Sequence, residues 1–304
     1  MTLRAGMKGN EVGTLQAQMT ALGFFHSKVD GDFGPLTRAA VQAAQRSIGL
    51  PVTGVADPKT LWAIRVRAAA KCGPAEAISK AAPIAPVTVT ALTSQPAADT
   101  ARRANATSLL IPASPRWRGT VGRGLTRAEF AAHVEGLRFG AWRPSFIVLH
   151  NTGSPNMAQW DGHDVVDRLK NLTAHYRDDQ GWRAGPHLFV DHTYIWLFTP
   201  LTVQGTHSPS WNSISWGIEM VGDYDSEPFD SGKGAMVRDN AVFAMAVLCN
   251  AIGADPSTFK LHKEDKRTTH ACPGRHVDKA DVLARLEATA AELSLGDHQA
   301  GRAA

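Results

Sequence analysis

The sequence predicts an α/β fold, a mixed central sheet flanked by helices, joined to a separate small all-α domain of three helices. Two observations predict it. From about Gly119 onward, short apolar strand-like runs alternate with longer runs of helical period, with no Gly-rich phosphate loop between them. Residues 1–67 instead hold three short helical patterns separated by turn chemistry, and an Ala/Pro/Thr-rich stretch over 68–118 parts the two units. At 304 residues, 43% hydrophobic and 20% charged, the chain has the length and composition of a soluble two-domain protein.

In the first unit Val12, Leu15, Met19 and Leu22 recur at helical spacing, and Gly23 follows as a C-cap. Val29-Asp-Gly-Asp-Phe-Gly34 reads as a turn, after which Pro35 opens a second helix with Thr37, Val41, Ala44 and Ile48 on one face. Asp57 caps a third short helix, with Pro58 at its first position and Leu61 and Ile64 facing inward. Such a unit buries one small core, marginal but feasible at this size. The linker, 68–118, is broken by prolines, and its Arg102-Arg103 pair is too short for a nucleic-acid patch.

The second unit, 119–295, opens with a capping box, Thr126-Arg-Ala-Glu129, that launches a helix carrying Phe130, Val134 and Leu137. A strand follows over 146–149, then a helix over 160–177 with Val165, Leu169 and Leu172 on one face. Short strands are expected at 187–191, 194–198 and 216–221, an apolar helix over 235–252 and a last helix over 278–293. The tail, 296–304, is expected to fray.

The net charge of +4 favours an anionic partner. No basic helix or basic stretch with interleaved aromatics supports nucleic acid. No stretch of about 18 apolar residues predicts membrane insertion, and the first residues lack the apolar core of a secretion signal. Of three cysteines, Cys72 falls in the linker and Cys249 in an apolar helical run; an odd count at irregular spacing gives no disulfide framework and points to synthesis in a reducing compartment.

The third cysteine carries the chemistry. His262 and Cys272 stand ten positions apart, with Pro273-Gly274 fixing the turn behind the cysteine, and the pair suits one zinc ion. In a chain with 12 histidines the pair alone says little. A third ligand is available at His150, where the apolar strand Phe146-Ile-Val-Leu-His150 runs into a Gly/Pro turn, a usual place for a scaffold to present chemistry. Three protein ligands leave one position for a reactive water. In Trp216-Gly-Ile-Glu219-Met-Val, strand alternation turns Glu219 away from Trp216, Ile218 and Met220. A carboxylate in so apolar a strand needs an ion-pair partner or a task.

Four ordered motifs, Leu149-His150-Asn-Thr-Gly, Gly185-Pro-His187-Leu-Phe-Val, Asn212-Ser-Ile-Ser-Trp-Gly-Ile-Glu219 and His262…Cys272-Pro-Gly, resemble the zinc-dependent N-acetylmuramoyl-L-alanine amidases of the phage-lysozyme and peptidoglycan-recognition family, over about 143–275. The N-terminal pattern, including Val29-Asp-Gly-Asp-Phe-Gly-Pro-Leu-Thr37, is similar to the three-helix peptidoglycan-binding domain, with Ala44 where that family usually has an aromatic. The resemblance implies one Zn²⁺ per chain on His150, His262 and Cys272, and Glu219 as the base for the zinc water. It places His270 where relatives carry a lysine or threonine that supports the oxyanion, gives His187 a structural or substrate-contacting role, and sets His207, Trp211 and Asn212 against the substrate. Some relatives have a tyrosine before the histidine of the second motif; here Pro186 stands there.

The implied function is hydrolysis of the amide between N-acetylmuramic acid and L-alanine of the stem peptide by a monomeric endolysin of phage type. It would be made in a host cytoplasm without a signal peptide and act on the wall after release. A bacterial autolysin or recycling amidase, or an antibacterial effector, would run the same chemistry. A non-catalytic recognition protein is the other alternative, although such relatives typically lose the ligand cysteine.

Overall fold

The computed structural model describes residues 2–68 apart from 58, 59, 62 and 66, and 110–300 apart from 112 and 163. Pro58, Cys72 and most of the stretch expected as linker lie outside the described residues.

In the N-terminal unit, helix α1 (Asn10–Leu22) buries Val12, Leu15 and Met19 and ends on Gly23 at φ 81°, a left-handed cap that glycine adopts without steric cost. Helix α2 (Pro35–Ser47) starts on its proline, whose missing N–H would have had no helical partner there. Helical residues follow at 60, 61, 63–65, 67 and 68, with the Asp57 carboxylate accepting the Thr60 N–H at 2.8 Å. These elements close on Phe25 and Phe33 as one small cluster. Two buried glutamines pin the turns between them. Gln16 accepts the Asp30 and Gly31 N–H groups, and Gln45 accepts from Gly54 and donates to the Val55 carbonyl.

The second unit is built on a six-stranded mixed sheet, in the order β3-β6-β5-β7-β4-β8. Its strands are β3 (Arg123–Leu125), β4 (Phe146–Asn151), β5 (Leu188–Val190), β6 (Ile195–Leu197), β7 (Ser215–Met220) and β8 (Lys260–Leu261). Pairs β5–β7, β7–β4 and β4–β8 are parallel, while β3–β6 and β6–β5 are antiparallel. Alternation decides which face each residue covers. Leu188, Val190, Ile218 and Met220 join the core under helix α6 (Gly232–Ile252) and helix α7 (Lys279–Ala300). Phe189 and Trp196 point the other way, onto Trp160, Val165 and Leu169.

Thr126 and Glu129 form the reciprocal capping box expected of them, at the start of helix α3 (Arg127–Glu135). The helix expected over 160–177 is instead three pieces: α4 (Met157–Asp161), α5 (Val165–Ala174) and a π-helical turn at His175–Asp179. The reason is local. Asp164 turns its carboxylate onto the Val166 and Asp167 N–H groups and so starts a new helix. The last helix runs on to Ala300, past the point where fraying was expected. Short β1 (Leu110–Ile111) and β2 (Thr120–Val121) pair within or beside the expected linker, and Trp117 is buried edge-on against Phe198. Ordered packing against the second unit therefore begins before Gly119.

Helix α6 is long and apolar enough to cross a membrane by length and composition, although it carries Lys233, Arg238 and Asp239, and 67% of its apolar window is buried inside the fold. It is a core helix, apolar because sheet and α7 cover it. The N-terminal unit rests on the second one: Arg65 pairs with Asp255 and, at 3.0 Å, with Glu287, while Ile48 and Ala63 join the large core. A cavity of about 580 Å³ lies between the units, lined by Leu15 and Arg65 on one side and Ser145 and Asp255 on the other. Ser145 immediately precedes β4, so this contact lies at the opposite end of the strand from His150, about 16 Å away at the rise of a strand.

Candidate metal centre and active site

Parallel pairing assembles the site from distant segments. Register sets His150 on β4 beside Glu219 on β7, and Leu149 beside Leu261 on β8, so that His262 leaves its strand next to His150. The two imidazole centroids are 4.3 Å apart. Cys272 returns to the same strand end, where its sulfur accepts the Asn151 N–H at 3.3 Å. Its loop closes tightly on a neighbour. Gly274 sits at φ +105°, and a Cβ there would lie 2.6 Å from the Tyr224 backbone carbon, so only glycine permits this approach. The ligand atoms of His150, His262 and Cys272 all fall within 4.8 Å of one another, at the carboxyl ends of parallel strands where open α/β sheets place their sites.

Burial sets the protonation of this group. Burial first, and then the neighbouring His207 and His262, lower the His150 pKa well below its ordinary value; burial and then His270 lower that of His262, against a smaller opposing pull from Asp265. Both rings are neutral at neutral pH, as ligation requires. Burial raises the Cys272 thiol above its usual range. The Nε2 of His262 is buried without a hydrogen-bond partner. Two neutral imidazoles, one of them with an orphaned nitrogen, and a thiol that a cation would deprotonate form a donor set suited to zinc.

Glu219 lies on the same face, its Oε1 3.8 Å from His150 Nδ1. Burial pushes its carboxyl up to about 8, and a divalent cation alongside would pull it back towards ionisation. Tyr176, on the π turn, is within electrostatic reach: burial and the Glu219 charge both push its phenol up. His270 is exposed at the rim, its ring stacked 5.8 Å from that of His262.

Two of the histidines the motifs single out, His187 and His207, are buried. His187 is fully buried; its Nδ1 accepts the Gly217 N–H at 3.0 Å, its Nε2 donates to the Val203 carbonyl at 3.0 Å, and Trp142 stacks over it. His207 is 7% exposed and sits behind His150, Nδ1 to Nε2 at 3.1 Å. Neither has a free nitrogen for a ligand: backbone groups of Gly217 and Val203 claim both of His187, and the Ser215 carbonyl and the His150 ring claim those of His207. Trp211 is half-buried, edge-on to Phe146, and the side-chain Oδ1 of Asn212 accepts the N–H groups of His207 and Ser208. Sequence reasoning missed Asp265. Buried at 1% exposure, it accepts from Ser208 Oγ at 2.6 Å, from the Ser210 N–H and hydroxyl, and from the Arg267 N–H, and so ties the 208–210 loop to the segment after His262. An aspartate in a charged run carries no sequence signal of such burial.

Residues 141–275 match the family described as N-acetylmuramoyl-L-alanine amidase, and residues 8–64 match the putative peptidoglycan binding domain. Among curated proteins the chain is similar to N-acetylmuramoyl-L-alanine amidase CwlM of Mycobacterium tuberculosis, 44% identical over 57 residues. That match spans 19% of this chain and 14% of the relative's length. It is also similar to peptidoglycan-recognition protein SC2 of Drosophila simulans, 24% identical over 137 residues, 44% of this chain and 70% of that one. Among solved structures it is similar to N-acetylmuramoyl-L-alanine amidase LysC from Clostridium intestinale, at 24% identity and a TM-score of 0.37, covering 48% of this chain and 86% of that one.

Proposed function

We propose that this chain, a modular member of the N-acetylmuramoyl-L-alanine amidase family with a peptidoglycan-binding domain ahead of its amidase domain, is a zinc-dependent peptidoglycan hydrolase that cuts between N-acetylmuramic acid and L-alanine. The observation that carries this reading is the convergence of His150, His262 and Cys272 ligand atoms within 4.8 Å, with Glu219 on the same face. One zinc ion would be held by those three side chains. When bound, it supplies Lewis-acid polarisation of the scissile carbonyl and lowers the pKa of water.

The protein's own groups then do the rest. Glu219 takes the proton of the attacking water on a carboxylate oxygen and returns it to the departing L-alanine amine. His270, at the open rim, donates a hydrogen bond to the oxygen that gains charge as the carbonyl is attacked. Trp211 and Asn212, on the loop that leads into β7, contact the substrate. The N-terminal domain holds the enzyme on the wall and raises the local concentration of scissile bonds. The chain acts as a monomer, in the role of an endolysin that reaches the wall after synthesis in a host cytoplasm.

Cys272→Ser tests the assignment. Zinc content after dialysis and amidase turnover should fall together, because an alcohol replaces the thiolate ligand. A variant that keeps its zinc would remove Cys272 from the ligand set.

A further inference from the structure

The hydrogen-bond chain behind His150 has a direction fixed at its far end. His207 Nε2 lies 3.3 Å from the Ser215 carbonyl oxygen and 3.5 Å from the Ser215 hydroxyl. The carbonyl can only accept. The hydroxyl spends its proton on the Trp211 carbonyl, 2.7 Å away, so towards the ring it accepts as well. His207 Nε2 must therefore carry hydrogen, and the neutral ring presents a bare Nδ1. That nitrogen stands 3.1 Å from His150 Nε2, which makes His150 Nε2 the donor and leaves the lone pair on His150 Nδ1, the nitrogen on the Glu219 side.

We infer that His207 is a positioning residue, which locks His150 in the Nε2–H tautomer and frees Nδ1 to bind a metal. This rests on the zinc reading above. The fold is shaped around it. A Cβ on Gly217 would lie 2.3 Å from His207 Cγ, so a glycine in the middle of a buried strand, otherwise a weakening choice, makes room for the ring. Asn212 holds the His207 backbone through its N–H at 2.7 Å. At 7% exposure His207 leaves little room for water to replace it as acceptor. Outer partners of this kind fix the tautomer and orientation of ligating histidines, and losing one typically costs about 10–100-fold in metal affinity.

The test compares His207→Leu, which removes the acceptor, with His207→Asn, whose Oδ1 falls near the place of Nδ1. Zinc affinity is read by chelator competition at fixed pH, and the His150 tautomer by ¹⁵N NMR of the metal-free protein. His207→Leu should weaken zinc binding by about 10–100-fold and let His150 populate the Nδ1–H form. His207→Asn should stay within a few-fold of the parent and keep the Nε2–H form. Gly217→Ala, which displaces the ring while retaining every imidazole, should follow the leucine variant. Parent-like zinc affinity and tautomer in His207→Leu would reduce His207 to packing. Should that variant fail to fold, an Nδ1–H form of His150 in the metal-free parent overturns the inference without it. A parent that takes up no zinc would defeat the ligand set, while the tautomer measurement would still judge the role of His207.

Discussion

At position 219 a carboxylate occupies a strand whose neighbours Ile218 and Met220 are sealed in the core, and burial pushes its pKa up to about 8. Glu219→Gln keeps the shape and removes the proton acceptor. It should leave zinc content and fold intact and cut turnover by roughly two to four orders of magnitude; near-parental turnover in the zinc-loaded variant would take Glu219 out of the reaction. The sequence made this residue legible because strand alternation separates it from its apolar neighbours. His150, His262 and Cys272 were legible as ligand types, and their motif spacing paired them. His187 and His207 were visible only as histidines. Nothing in their motifs tells a groove-lining ring from one whose nitrogens are claimed by Gly217, Val203 and Ser215, since that depends on three-dimensional neighbours.

The elements that carry these residues were legible in proportion to their local signals. The capping box at Thr126, the proline start of α2 and the apolar run of α6 are written in adjacent residues, and they appear as expected. Strand β8 is two residues long and pairs with a strand more than 100 positions earlier, so no local pattern announces it. What holds the loop after β8 in place is Asp265. Burial on its own would raise that carboxyl, but hydrogen bonds from Ser208, Ser210 and Arg267 outweigh it and hold the pKa well below the usual carboxylate range. A folded-state pKa below the unfolded one gives stability that is present above the unfolded value, near ~3.9, and is lost as pH falls towards the folded value. Asp265→Asn turns an amide onto donors and should cost about 1.5–3 kcal/mol at neutral pH. Urea unfolding at pH 7 and at pH 3 checks this: the gap between parent and variant should narrow in acid, and a gap independent of pH would mean that the charge of Asp265 contributes nothing.

On the scale of the whole molecule, the N-terminal unit docks at the opposite end of β4 from the metal ligands, through Arg65 with Asp255 and Glu287 and through Ile48 and Ala63. Such an arrangement keeps the N-terminal unit away from the strand ends that bear His150 and His262. Docking was not legible in the sequence, because Arg65 is one arginine among many and its partners lie about 190 and 220 residues away. Arg65→Glu sets like charges against each other and should loosen the contact, read as a larger radius of gyration in solution scattering; an unchanged profile would assign the docking to the apolar contacts alone. The central claim, a zinc amidase aimed at the muramoyl–alanine bond, is tested most directly by mass analysis of sacculi digested with the zinc-loaded chain. Intact stem peptides bearing a free L-alanine amine, with no new reducing sugar ends, are the predicted products. New reducing ends, or cuts inside the stem peptide with the muramoyl amide left whole, would contradict it.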